Sequence, residues 1–178
     1  EAHWRVNKVL LKGFKTHVSP VVINAGLLVA MAEALNEGHT PVIVAHNAKF
    51  DIKYLMRDHP EFPWHKVKVW DTMTWEYRNS GHIDKYKSLE ETASKWGIRF
   101  EKTMDLGALL QSGLKMEDLD INELEEYLKG DVEVLEEIWE YQEAEATYDM
   151  DYILPLADME LNGVHLDKAE LIDNQFYD

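Results

Sequence analysis

Val42-Ile43-Val44-Ala45-His46-Asn47-Ala48-Lys49-Phe50-Asp51-Ile52-Lys53-Tyr54-Leu55 is the stretch on which the fold turns. Its first four residues are a short continuous apolar run rich in β-branched side chains, the pattern of a buried strand. Asn47 then stands where a helix N-cap is expected, and Phe50, Asp51, Tyr54 and Leu55 follow at helical spacing. A strand therefore ends where a helix begins. In open α/β sheets, ligands bind in the crevice beyond the carboxyl ends of the strands. Asp51 falls in the helix's first turn, at that crevice, although an acid there also complements the helix dipole with no further role.

Reading outward from this unit, the same alternation recurs. Upstream, Val9-Leu10-Leu11 and Val21-Val22-Ile23 predict two strands around a turn near Ser19-Pro20. Lys8, Lys12 and Lys15 in this stretch read as a solvated face or as phosphate contacts. Leu27 to Leu35 has helical spacing, closed by Gly38. Downstream, Pro60 and Pro63 mark a loop. Val67 to Trp70 predicts a second short strand that delivers Asp71 to its end, where that acid is expected to cap the next helix. After the loop Asn79-Ser80-Gly81-His82, the capping box Ser88-Leu89-Glu90-Glu91 opens a helix that Gly97 closes. His82 and Tyr86 lie just before it, as exposed loop residues or as contacts to a nucleic-acid strand. Leu106 to Leu110 predicts a further short helix.

The second anchor is Asp120 to Tyr141, a long helix opened by the capping box Asp120-Ile121-Asn122-Glu123. Its apolar stripe is Leu124, Tyr127, Leu128, Leu135 and Ile138, and Asp131 falls in the middle of it. A carboxylate on a core-facing stripe costs several kcal/mol unless it is paired, protonated or bound to a metal. Tyr127, four residues earlier, is its neighbour on the same face, so a Tyr to Asp hydrogen bond is one reading and a functional site the other.

Composition narrows the classes. At 178 residues the chain is expected to be one domain with part of another. It has no cysteine, which excludes a disulfide framework and a cysteine zinc site. No apolar run approaches the roughly 20 residues of a membrane span, and the first residues do not read as a signal peptide. A net charge of −16 argues at first against a nucleic-acid partner. Its distribution weakens the objection: residues 1–100 carry 14 Lys and Arg against 11 Asp and Glu, and residues 101–178 carry 4 against 23.

Taken together, Asn47-Ala48-Lys49-Phe50-Asp51 and Tyr127-Leu128-Lys129-Gly130-Asp131 resemble the second and third motifs of the DEDD superfamily of 3′-5′ exonucleases, and Tyr127 marks the DEDDy branch. In the histidine branch a His stands five residues before the last Asp, where this chain has Glu126. Trp70-Asp71-Thr72-Met73 and Ser88-Leu89-Glu90-Glu91-Thr92-Ala93 also resemble the proofreading domain of family A DNA polymerases, of bacterial polymerase I and phage type. The likeness covers roughly residues 21–167. Leu156, Met159, Glu160, Gly163, Val164 and Asp167 resemble the start of the polymerase region, so the implied domains are an exonuclease domain over 1–148 and the opening of the polymerase over 149–178.

The resemblance implies an α/β, ribonuclease-H-like three-layer fold with a mixed sheet flanked by helices. It implies two divalent cations, Mg²⁺ or Mn²⁺, with Asp51 and Asp131 as metal ligands. Asp51, Tyr127 and Asp131 would be catalytic, and His46, Asn47 and Phe50 would hold the frayed 3′ end of single-stranded DNA. The other partner would be the remainder of the polymerase chain, with no membrane, in the cytoplasm of a bacterium or an infected cell. One element of the family is missing. Its Asp-x-Glu on the opening strand has no match upstream of Asn47, and Asp131-Val132-Glu133 and Asp158-Met159-Glu160 both sit at helical spacing, where i and i+2 diverge. The chain is therefore expected to be a fragment without that strand. Three readings compete: a stand-alone RNA 3′-exonuclease of the same superfamily, a catalytically decayed scaffold, and an acidic protein-interaction module.

Overall fold

The computed structural model of the chain describes residues 13–16, 19–23, 26–100, 104–115, 118–144 and 149–163. The chain opens with a hairpin, β1 (Gly13–Thr16) and β2 (Ser19–Ile23), antiparallel with Phe14 opposite Val22 and Thr16 opposite Ser19. Ser19 and Pro20 thus lie inside a strand and not in the turn that the sequence suggests. Proline's missing donor is tolerated on an edge strand, which is where β2 sits among the described residues. The expected strand Val9 to Leu11 lies outside the described residues.

Helix α1 (Leu27–Asn36) leads to β3 (Val42–Ala45) and α2 (Ala48–Asp58). A short 3₁₀ turn, Trp64–Lys66, precedes β4 (Lys68–Asp71) and α3 (Thr72–Asn79). Helices α4 (Leu89–Trp96), α5 (Leu106–Gln111), α6 (Ile121–Ala144) and α7 (Ile153–Asn162) follow. Strands β3 and β4 pair in parallel, Val42 opposite Lys68 and Ala45 opposite Asp71. The chain is thus a mixed α/β protein, and among the described residues its two strand pairs are separate sheets. Both Asp-x-Glu tripeptides lie inside helices, α6 and α7, as their spacing predicts.

The main core forms where α2 and the β3–β4 pair meet α7. Ile52 and Leu55 of α2, Val69 of β4, Trp75 of α3 and Met150, Ile153 and Ala157 around α7 are all buried together. Helix α7, which the resemblance assigns to the next region, is therefore packed into the same core as the strands. A second cluster, Ala93, Ile98, Val134 and Ile138, joins α4 to α6. Helix α6 also packs on the hairpin. Gly13 permits that approach, since a Cβ there would come within 2.9 Å of Leu128 Cγ, and Lys15 pairs with Glu136 across the same contact.

One buried polar network fastens α3, α4 and α6 together. The Glu76 carboxylate accepts from Lys95, from the Trp96 indole and from Gln142 Nε2. Gln142, fully buried, also donates to the Thr72 carbonyl at 3.1 Å and accepts from the Trp70 indole at 2.9 Å. Every buried polar atom of Gln142 is thereby satisfied, as burial requires. Among the described residues no helix is long and apolar enough to cross a membrane.

Candidate functional site

Parallel, in-register pairing brings Ala45 and Asp71 side by side at the carboxyl ends of β3 and β4. The two following helices therefore start from one place. Asp71, 3% exposed, organises it. Its Oδ1 accepts from the backbone N–H of Met73 at 3.0 Å and of Thr74 at 3.3 Å, and its Oδ2 from the Thr74 hydroxyl at 3.0 Å, so it caps α3 as the sequence predicts. The same Oδ1 accepts from the backbone N–H of Asn47 at 3.0 Å, which ties the start of α2 to the start of α3. That second link has no signal in the sequence beyond an acid at a strand's end.

Asn47 occupies the N-cap position but differs from the expectation in how it works. Its backbone is left-handed, φ 63° and ψ 48°, and its side chain makes no capping hydrogen bond. The left-handed turn, which asparagine adopts more readily than most residues, is stabilised instead by the Asp71 carboxylate. The Asn47 side chain stays exposed at the rim.

His46 is placed differently from a strand-binding residue. Its Nε2 lies 2.8 Å from the Lys87 carbonyl and its Nδ1 2.9 Å from the Thr72 hydroxyl. A carbonyl can only accept, which assigns the ring proton to Nε2 and leaves Nδ1 to accept from Thr72. Burial pushes the imidazole pKa down, against the opposing effects of the Lys87 bond and of the charges on Asp71 and Glu76. Both ring nitrogens are thus engaged inside the protein, and His46 clips the loop preceding α4 onto the end of β3.

Asp51 sits one turn into α2 with its side chain open to solvent on one side. Protein crowds it on the others. This desolvation, followed by the charge of Asp71, raises its carboxyl from 3.8 to about 6, with its own backbone N–H opposing. Asp71 thus makes the Asp51 charge harder to hold, a situation that a bound cation relieves. Next to it, Phe50 is 41% exposed and meets Tyr54 edge-on at 5.2 Å, which leaves ring surface available for stacking.

Tyr127 and Asp131 lie one turn apart on α6, as predicted. Helix α6 is longer than the sequence suggests, and its buried face comprises Leu124, Val134, Ile138 and Gln142. Tyr127 and Asp131 share that face but are only half-buried. The sequence-based view of Asp131 as an acid sunk in the core is thereby corrected: at the level of these two residues the face is only partly covered. Water reaches Asp131, so the cost of its charge is below that of a sealed site. Helix α6 contacts β3, so Asp51 and Asp131 stand on two elements that flank the same strand.

Asp51 and Asp131 are hard oxygen donors, the chemistry of a Mg²⁺ or Mn²⁺ ligand and not of a soft metal. Among the described residues no group of three or more His, Asp or Glu side chains converges on one point. Comparison with family models, with curated proteins and with solved structures finds no match to this chain.

Proposed function

We propose that the chain is a 3′-5′ exonuclease domain of DEDDy type with a ribonuclease-H-like fold, the proofreading part of a family A DNA polymerase acting on single-stranded DNA 3′ ends. The observation that carries the reading is Asp51. It stands in the first turn of the helix that leaves the carboxyl end of β3, and desolvation and Asp71 lift its carboxyl to about 6. A metal-binding carboxylate has these properties: it is poorly compensated by protein and reachable from solvent. The order hairpin, helix, strand, helix, strand is compatible with such a fold, and α6 carries Tyr127 and Asp131 one turn apart.

Asp51 and Asp131 would hold the divalent cations, largely through water because two carboxylates cannot fill six positions. When bound, the cations would supply charge stabilisation at the scissile phosphate and a more acidic attacking water. Tyr127 would orient that water by a hydrogen bond. Its phenol would act as a donor that orients the nucleophile and not as the base. Phe50 would stack on the terminal base. Asn47, exposed at the rim, would position the terminal nucleotide.

The test is digestion of a 5′-labelled single strand in Mn²⁺ by the natural full-length gene product. Stepwise shortening from the 3′ end is expected, with loss of activity in Asp51→Asn and in Asp131→Asn at unchanged fold. No shortening by the wild type, or shortening that survives both substitutions, would refute the assignment. A ribonucleotide strand run in parallel separates DNA proofreading from RNA trimming.

A further inference from the structure

The loop between α3 and α4 carries an aromatic cluster at the surface. Tyr77, on α3, stacks on His82 with ring centroids 4.8 Å apart and planes at 11°, and meets Tyr86 at 4.6 Å and 34°. Tyr86 is 58% exposed and Ile83, between them, 86% exposed, the most open large apolar side chain among the described residues. A ring stack that served only the core would be covered.

One further observation sets the end of this loop beside the crevice, and two more fit a functional role for it. The His46 Nε2 bond to the Lys87 carbonyl fixes the end of the loop to the end of β3. Among the described residues only Asn47 and His82 are left-handed without being glycine, at φ 63° and 64°, a costly backbone state that collects at functional sites. One lies at the start of α2 and the other on this loop. Charge also fits: residues 77–88 hold Arg78, Lys85 and Lys87 against Asp84 alone, a locally cationic segment in a strongly acidic chain. Lys85 is exposed, whereas Lys87 pairs with Asp84.

We infer that Tyr86, with His82 and Tyr77 behind it and Lys85 beside it, is a stacking platform for the bases of a single-stranded nucleic acid that enters the Asp51 crevice. Aromatic faces bind bases without sequence preference, and a nearby ammonium meets the phosphates. This rests on the nuclease reading, but it concerns holding the strand and needs no metal.

The experiment is fluorescence anisotropy of 5′-fluorescein dT12 and rU12 with the full chain in EDTA, where hydrolysis is silent. Tyr86→Ala is expected to weaken binding about five- to a hundredfold, Tyr86→Leu nearly as much, and Tyr86→Phe less than twofold, because the ring face and not the hydroxyl does the stacking. Val29→Ala, an exposed apolar residue of α1, controls for general stickiness. Tighter binding of dT12 than of rU12 identifies a DNA strand as the occupant, and the reverse order an RNA strand. Tyr86→Ala binding within twofold of the wild type, at an unchanged circular dichroism melt, overturns the platform. If metal-dependent digestion persists in that case, the nuclease assignment stands without it, whereas a wild type that neither binds nor digests either strand removes both.

Discussion

Replacing Asp51 by Asn tests whether this carboxylate is strained by its setting. In the folded chain its carboxyl titrates at about 6, against 3.8 unperturbed. Below about pH 3.8 the group is protonated folded or unfolded, and it has no effect on stability. As pH rises from 3.8 to 6 the unfolded chain gives up its proton first, so folding loses stability, and the loss is complete above pH 6. A shift of this size is worth about 3 kcal/mol if no water reaches the group. The Asp51 side chain does reach water, and screening reduces this to roughly 1 kcal/mol. For a chain of this length that corresponds to about 2–4 °C in Tm. Asp51→Asn should therefore melt about 2–4 °C above the wild type at pH 8 in EDTA, with the gap closing to within about 1 °C at pH 4.5. Adding Mn²⁺ at pH 8 should raise the wild-type Tm by more than that of the variant, which keeps only Asp131. A variant that melts lower at pH 8, or a gap that widens on acidification, would show that Asp51 is a stabilising structural acid and would remove the electrostatic argument for a cation.

Asp71→Asn should lower the Asp51 pKa from about 6, since it deletes the second-largest cause of the shift, and should cost about 1 kcal/mol through loss of the acceptor for the Thr74 hydroxyl, Asn being as good a cap as Asp; a ¹³C titration of the carboxyls and a urea melt read both. Gln142→Leu leaves the Trp70 indole and the Thr72 carbonyl without their partner, and should cost about 3 kcal/mol, seen as a lower urea midpoint at unchanged slope. Tyr127→Phe should slow digestion roughly ten- to a thousandfold through loss of one oriented hydrogen bond, with Mn²⁺ affinity and Tm near wild type; a collapse of metal binding would make Tyr127 part of the ligand shell.

The elements that the sequence makes legible are those whose signals are local. The Val42 to Ala45 strand, the Ser88 capping box and the Gly97 stop all depend on residues within four of one another, and all three stand where their patterns predict. Asp71 is legible as a cap for the same reason. Its hold on Asn47 spans 24 residues and depends on strand register, which no local pattern encodes. His46 illustrates the limit more sharply. A histidine beside a strand end looks like a ligand-binding residue, and only the fold reveals that Lys87, 41 residues away, occupies its donor. The helical period correctly put Tyr127 and Asp131 on the packed face of α6. It could not show that the neighbouring elements cover that part of the face only in part.

Glu160 of α7 holds both Lys49, at 2.5 Å, and Lys53, at 2.7 Å, the two ammonium groups that α2 presents on either side of Asp51 in sequence. Its carboxylate pKa is lowered by these two bonds. The consequence concerns salt. An ammonium already matched by a protein carboxylate displaces few counterions when a strand arrives, so it adds little to the ionic-strength dependence of binding. Each phosphate newly neutralised on a single strand contributes roughly 0.7 to the slope of log affinity against log salt. Were a polyanion to bind beside α2, these two ammonium groups, held by α7, would add little to that slope.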